Sequence, residues 1–426
     1  MPNSNRTVGQ TITHLIIVIC SCAFISFYQG GIWLLIPPLN GTIAFGISLI
    51  LTFLILTSRT ERNYLYSDLK IYGIAVFILL SIIYMFANKE SFTSSGFLIA
   101  FYCFVMMCIG AYIHNNEKER NFILLFILAE NILKELVDIY ELLKNPMIMR
   151  NSAFDLININ GSGLEKLVNI PSIYTFVVIY FIVLCNFRRS KYKVLSVAYM
   201  AVTLYVLYLS QMSLPLLLTI IITLFLLLVK STDMKKVVAL SVVFFLFFMI
   251  LLPTILTLLL KSSFLTVEFQ KRIQDIYDIF FSDASFAEII QTYGNGAEED
   301  YTSTEGRLSF YIQSFRAMAH NFFLGTLTPN SIKTGGHSTW IDYIAKYGCL
   351  VFVYYFSLIQ YTRKKFRMSD LESKKVLIAI SIFYLFSGLF NSFQIVMFTM
   401  HMFIIIPYFD ELLTDDTKLI IKRRPM

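Results

Sequence analysis

Residues 121–142 read NFILLFILAENILKELVDIYEL. The stretch is as long as a bilayer-crossing helix, which needs roughly 17–25 mostly apolar residues. Yet it carries Glu130, Lys134, Asp138 and Glu141. Spaced at i, i+4, i+8 and i+11, these form one polar stripe along one helix face. Each such charge near mid-bilayer costs about 2.5–3.5 kcal/mol on insertion scales. The stripe therefore faces protein or a wet cavity rather than lipid. Glu130 and Lys134 are spaced to pair on the helix surface. Two readings follow: a structural ion pair with solvated outer residues, or a cavity wall that rises toward Arg150.

The rest of the chain repeats the apolar part of this pattern. Of 426 residues, 57% are hydrophobic and 15% charged, and the mean hydropathy is +0.67. Apolar runs occupy 12–28, 41–57, 71–88, 96–113, 121–142, 171–187, 193–210, 214–229, 237–260, 338–360, 375–391 and 394–409. The expected fold is an all-α polytopic membrane protein of about twelve spans, because helices satisfy their backbone hydrogen bonds internally in lipid. No small-residue cleavage site follows 12–28, so this run reads as a retained helix rather than a signal peptide. The six cysteines all sit in apolar runs without metal-ligand spacing, which argues against disulfides and against a cysteine metal site.

Basic residues alternate between loops. Arg59, Arg62 and Lys70, then Arg188, Arg189, Lys191 and Lys193, then Arg363, Lys364, Lys365 and Arg367 mark one side. By the positive-inside rule that side is cytoplasmic, and both termini lie there. The net charge of +7 thus reports membrane topology and is no nucleic-acid signal. Residues 1–260 hold nine spans with a smaller outward loop at 143–170. A large outward loop covers 261–337, and 338–426 holds the last three spans and a tail. The large loop is too long to be a mere connection. It divides into an amphipathic segment at 264–281, a polar glycine-containing stretch at 292–305 and a second amphipathic segment at 306–325. Such helices lie at a membrane surface or cover a cavity.

The large loop ends in GGHSTWIDYIAKYGC, Gly335–Cys349. Thr339-x-x-Asp342 has capping-box spacing, which starts a helix just after His337. A helix N-terminus attracts anions such as phosphate. The same partial positive charge disfavours imidazolium and leaves His337 a neutral base. A plain surface histidine at a helix end fits the position too. Arg307 follows Gly306, and guanidinium suits bidentate phosphate binding. Arg316 lies nine residues on, about half a turn away in helical phase, so the two point apart on one continuous helix. Arg150 sits in the smaller outward loop. Interfacial or solvated arginines would look the same. His401, in the last run, reads as a hydrogen-bonded interior residue. Walker-type loops, glycine-rich dinucleotide fingerprints, G-x-S-x-G elbows and outward metal clusters are absent from the sequence, which disfavours ATP, NAD and metal chemistry.

Between residues 306 and 350 the sequence is similar to the loop signature of the bacterial O-antigen polymerase and ligase superfamily. Gly306-Arg307, HNFFLG (His320–Gly325), His337-Ser338 and Gly348 occur in that order. NIPS at 169–172 resembles the turn that opens the helix after the first outward loop in that superfamily. One departure stands out: LSQMSLP (Leu209–Pro215) lacks the arginine that many relatives carry where two helices meet. Arg150 is the first candidate to replace it and Arg316 the second.

The resemblance implies a GT-C-like membrane glycosyltransferase of the bacterial cytoplasmic membrane, with no cofactor and no metal. Its substrate would be an undecaprenyl diphosphate-linked oligosaccharide in membrane lipid, and a chain-length regulator protein would be a further partner. Arg307 and Arg150, with Arg316 behind them, are assigned to the diphosphate; His337 is the base for the acceptor hydroxyl or else a positioning residue near the diphosphate, and the stripe Glu130, Lys134, Asp138 and Glu141 is a lesser candidate for handling the acceptor. The expected reaction is polymerisation of lipid-linked repeat units into O-antigen or capsular polysaccharide. The alternatives are ligation of a finished glycan to lipid A-core and, from another class, flipping of the lipid-linked unit.

Overall fold

The computed structural model describes residues 8–35, 41–67, 70–92, 96–146, 148–151, 164–228, 304–369 and 371–409, with scattered positions between 243 and 277. The described residues hold helices and no strand. In chain order they are α1 (Val8–Gln29), α2 (Gly41–Thr57), α3 (Arg59–Tyr66), α4 (Lys70–Ala87), α5 (Gly96–Asn115), α6 (Glu117–Lys144), α7 (Ile148–Asn151), α8 (Ile170–Asn186), α9 (Lys193–Leu209) and α10 (Ser213–Leu228). After the large loop come α11 (Thr304–His320), α12 (Thr339–Tyr347), α13 (Val351–Met368), α14 (Leu371–Phe390) and α15 (Ile395–Met400). Four of them, α1, α4, α5 and α14, are long and apolar enough to cross a membrane. The pair α2 and α3 would make a fifth if taken as one span, bent by 96° at its break.

The chain divides into two compact units. The first comprises Met1–Thr219, Val353–Tyr384 and Phe393–Met426; the second comprises Ile220–Phe352 and Leu385–Ser392. In the first, α5 packs against α2, α3, α4 and α15, and α6 packs against α1 and α9. Helix α8 is buried nearly all round, as expected of a helix that is apolar on every face. Its start follows from NIPS. Asn169 is the N-cap, its side chain accepts from the Ser172 amide at 3.3 Å, and Pro171 stands in the first turn where its missing N–H costs nothing.

Among the described residues helices occupy the apolar runs, with one difference that bears on function. The run 338–360 is not one helix. It is cut at Gly348, which has φ 70° and closes α12 by donating its amide to the Ile344 carbonyl at 2.8 Å. His337 therefore precedes a nine-residue helix, too short to cross a bilayer, rather than a spanning one. The last run also changes character partway. Helix α15 passes into a π-helical turn, His401–Ile405, a form often found at functional positions. The run 237–260 is described only at scattered positions, and the segments 264–281 and 292–303 lie almost entirely outside the described residues.

Candidate functional site

In the second unit, α11 and α12 pack together and hold the GGHS turn between them. Ser314, buried on α11, accepts from the Gly335 amide at 3.1 Å. Gly335 lies so close to α11 that a Cβ there would collide with the Phe310 carbonyl. The Ser338 amide donates to Asp342 Oδ2 at 3.0 Å, and the Ser338 hydroxyl donates to the Gly388 carbonyl at 3.1 Å. Only half of the capping box expected from Thr339-x-x-Asp342 forms: the N-cap is Ser338, whose amide Asp342 accepts, while the Ser338 hydroxyl makes no cap bond. Burial pushes the Asp342 carboxyl above the usual carboxylate range, against the opposing pull of the Ser314 hydroxyl and the Ser338 and Gly336 amides.

The result is a histidine on a pinned backbone. His337 is half-buried, with the Phe310 ring 4.8 Å and the Tyr311 ring 6.3 Å from its own, centroid to centroid. Comparison with protein-family models, with curated proteins and with solved structures finds no match for this chain. The reading of the site therefore stands on the geometry of its own residues.

That geometry sorts the arginines. Arg307 lies in the first turns of α11, in the same row of positions as Tyr311 and Ser314, which meet the GGHS turn. Arg316 is exposed and stands about half a turn from Arg307 around the same unbroken helix, as its nine-residue spacing requires. Arg150 is in α7, in the first unit. The side chains of Arg307 and Arg150 lie outside the described residues.

Several residues between 321 and 348 serve the backbone of this unit. The buried Asn321 donates to the Ile332 carbonyl at 2.8 Å and accepts the Ile332 amide at 3.2 Å, tying the approach to the GGHS turn onto the end of α11. Gly325 and Gly348 both have positive φ and lie back to back: a Cβ on Gly348 would stand 2.8 Å from the Gly325 amide and would collide with the Phe323 carbonyl. Only glycine tolerates both the conformation and the approach. Asn321 lies within the HNFFLG stretch, but nothing in the sequence shows that it binds Ile332; Ser314 carries no motif, and its one signal is a small polar residue on an amphipathic helix.

The second polar centre belongs to the first unit. Glu130, Lys134, Asp138 and Glu141 are all buried, as is Glu135, which the stripe argument left out. Lys134 does not reach Glu130 directly. Its ammonium donates to the Gly30 carbonyl at 2.5 Å and to the Leu167 carbonyl at 2.7 Å. Asn169 Nδ2 donates to the same two carbonyls, each at 2.9 Å. Glu130 accepts from the Ser26 hydroxyl and, at 2.8 Å, from the Ile32 amide. Gly31 is confined between them, since a Cβ there would collide with the Glu130 carboxylate. So the inner charges of the stripe bind backbone at the end of α1 and at the turn before α8, and one end of the segment 143–170 is held by this knot. Glu141 accepts from Lys144 at 3.5 Å, and that lysine is half-exposed. The sequence sign of the knot was Gly30-Gly31 directly after an apolar helix.

His401 is interior, as expected. Its Nε2 is 3.0 Å from the Thr175 hydroxyl and its Nδ1 meets the Tyr384 hydroxyl. In the stretch Leu209–Pro215, Gln211 is buried and held at φ 53° between α9 and α10. Left-handed backbone at a non-glycine residue is uncommon. Among the described residues no group of three or more His, Cys, Asp or Glu side chains is arranged to hold a metal ion, and each cysteine is free.

Proposed function

We propose that this chain polymerises undecaprenyl diphosphate-linked oligosaccharide repeat units on the outer face of the bacterial cytoplasmic membrane. One observation carries the reading: His337 is packed on the side of α11 to which the position of Arg307 also belongs. A base for a hydroxyl and a cation for a diphosphate are the two groups that glycosyl transfer from a lipid diphosphate requires. The acceptor hydroxyl attacks the anomeric carbon of the donor glycan. The bond from that carbon to the diphosphate oxygen breaks, and undecaprenyl diphosphate leaves with the bonding electrons. His337 takes the hydroxyl proton, and Arg307 balances the charge on the leaving oxygen. Arg316, on the same helix as Arg307, is the reserve diphosphate ligand in this scheme. The apolar helices suit substrates that are themselves amphiphilic, and a twelve-span GT-C-like architecture with both termini cytoplasmic completes the proposal.

The test is a ladder assay with purified protein and the cognate lipid-linked repeat unit. His337→Ala and Arg307→Ala should abolish the ladder while protein level stays normal; for His337 a loss of roughly 10²–10⁴-fold is the scale of a general base. Wild-type ladders from both variants would refute the site. In a deletion strain, a surface glycan of single capped units agrees with a polymerase, whereas long chains stranded on undecaprenyl would make the protein a ligase instead.

A further inference from the structure

The stripe on α6 holds more negative charge than its one lysine can balance. Glu130 has donors of its own, the Ser26 hydroxyl and the Ile32 amide, and these suit an ionised carboxylate. Glu135 accepts from the Thr203 hydroxyl of α9 at 2.6 Å. Asp138 differs: it is fully buried and neither carboxylate oxygen has a hydrogen-bond partner. Lys134, one turn away, aims two of its three donors at the Gly30 and Leu167 carbonyls rather than at Asp138. Glu135 and Asp138 stand three residues apart on α6, neighbours on the helix surface. Two like charges at that separation, away from water and with donors for only one of them, do not both persist.

We propose that Asp138 holds a proton, and that Glu135 and Asp138 together form a reversible proton-binding site inside the helical bundle of the first unit. A proton is the smallest neutralising ligand and needs no further room. The titratable groups around the pair are Lys134, Glu130 and Glu141 of the same helix, Tyr199 of α9, which faces Glu135, and Cys22 of α1, which faces Glu130. Helix α8 and the turn before it contribute Asn169 and the Leu167 carbonyl. Lys134 stands one turn from both Glu130 and Asp138 and carries charge enough to balance one of them, so the net charge of the knot is set by whether the Glu135–Asp138 pair keeps its proton. The inference is independent of the polymerase reading. It makes the packing of α6 against α9 respond to pH, because deprotonation leaves an uncompensated buried charge.

The test uses the full chain in lipid nanodiscs. Infrared spectroscopy at neutral pH should show the carbonyl band of a protonated carboxyl, which moves when the protein carries heavy-carbon-labelled aspartate and is lost in Asp138→Asn. In the same nanodiscs, the thermal midpoint of the wild type should fall by several degrees from mildly acidic to mildly alkaline buffer. Asp138→Asn, which imitates the neutral acid, should flatten that slope, and Asp138→Ala takes its place should the amide fail to fold. Absence of the band from the wild type, or its persistence in the variants, overturns the proposal. So does a midpoint that follows Na⁺ against choline at constant pH, since that result describes a sodium site.

Discussion

The two polar centres of this molecule use the same means for opposite ends. In the knot on α6, charged side chains bind backbone. Lys134 and Asn169 share the Gly30 and Leu167 carbonyls, and a glutamate closes on the Ile32 amide. In the turn before α12, a serine, an asparagine and an aspartate bind backbone, and the histidine they surround stays half-buried. The first centre has its charges fully withdrawn from solvent; the second has spent its neutral groups to keep one titratable ring in reach of it. A buried charge is therefore weak evidence of catalysis by itself. A half-buried histidine on a pinned backbone is the better candidate, because it combines fixed geometry with access.

Lys134→Ala should break the first centre most completely. It removes two charge-assisted hydrogen bonds and the counter-charge of Glu130 from a dry site, which costs about 3–5 kcal/mol. The yield of monodisperse protein in detergent, measured against wild type, should collapse. Near-normal yield would show that Asn169 alone can hold the two carbonyls. Asn321→Ala strikes the second centre in its support rather than its chemistry. It leaves the Ile332 carbonyl and amide without their partner, at about 1–3 kcal/mol. The expected result is a folded protein whose 331–338 segment is cut faster by protease and whose ladder is shortened. A protease pattern like wild type would mean that Ser314 suffices to hold the turn. Arg316→Ala is the mildest of the three. Being exposed and about half a turn from the position of Arg307, it should reduce ladder formation far less than Arg307→Ala does. Equal losses from the two would place the diphosphate on the other side of α11.

Much of the helical framework was legible from composition and hydropathy. Apolar runs such as 96–113 and 171–187 match α5 and α8 closely, because an unbroken apolar run of that length forms a buried helix whichever neighbours cover it. The tenth run was misread as one helix because Gly348 lies among apolar residues and only its contact with Gly325 reveals the break. The stripe at 130–141 was visible as a stripe. Its partners were not: Gly30 is 104 residues from Lys134 and 139 from Asn169, and no periodicity links such distant positions. The Glu130–Lys134 pairing expected at i, i+4 gave way because backbone carbonyls left at helix ends compete for the same ammonium.

From the order of residues alone came an all-helical chain rich in apolar runs, a charged face on α6 that lipid would reject, and a histidine placed just ahead of a helix start. These follow from local periodicity and from the cost of charge in hydrocarbon. Folding in three dimensions decided that Lys134 would grip α1 and the turn before α8, that Asp138 would be left without a donor, and that His337 would lie against Phe310 and Tyr311. Each of those outcomes depends on which carbonyls and rings arrive at the same point, and only the packing of helices distant in sequence determines that.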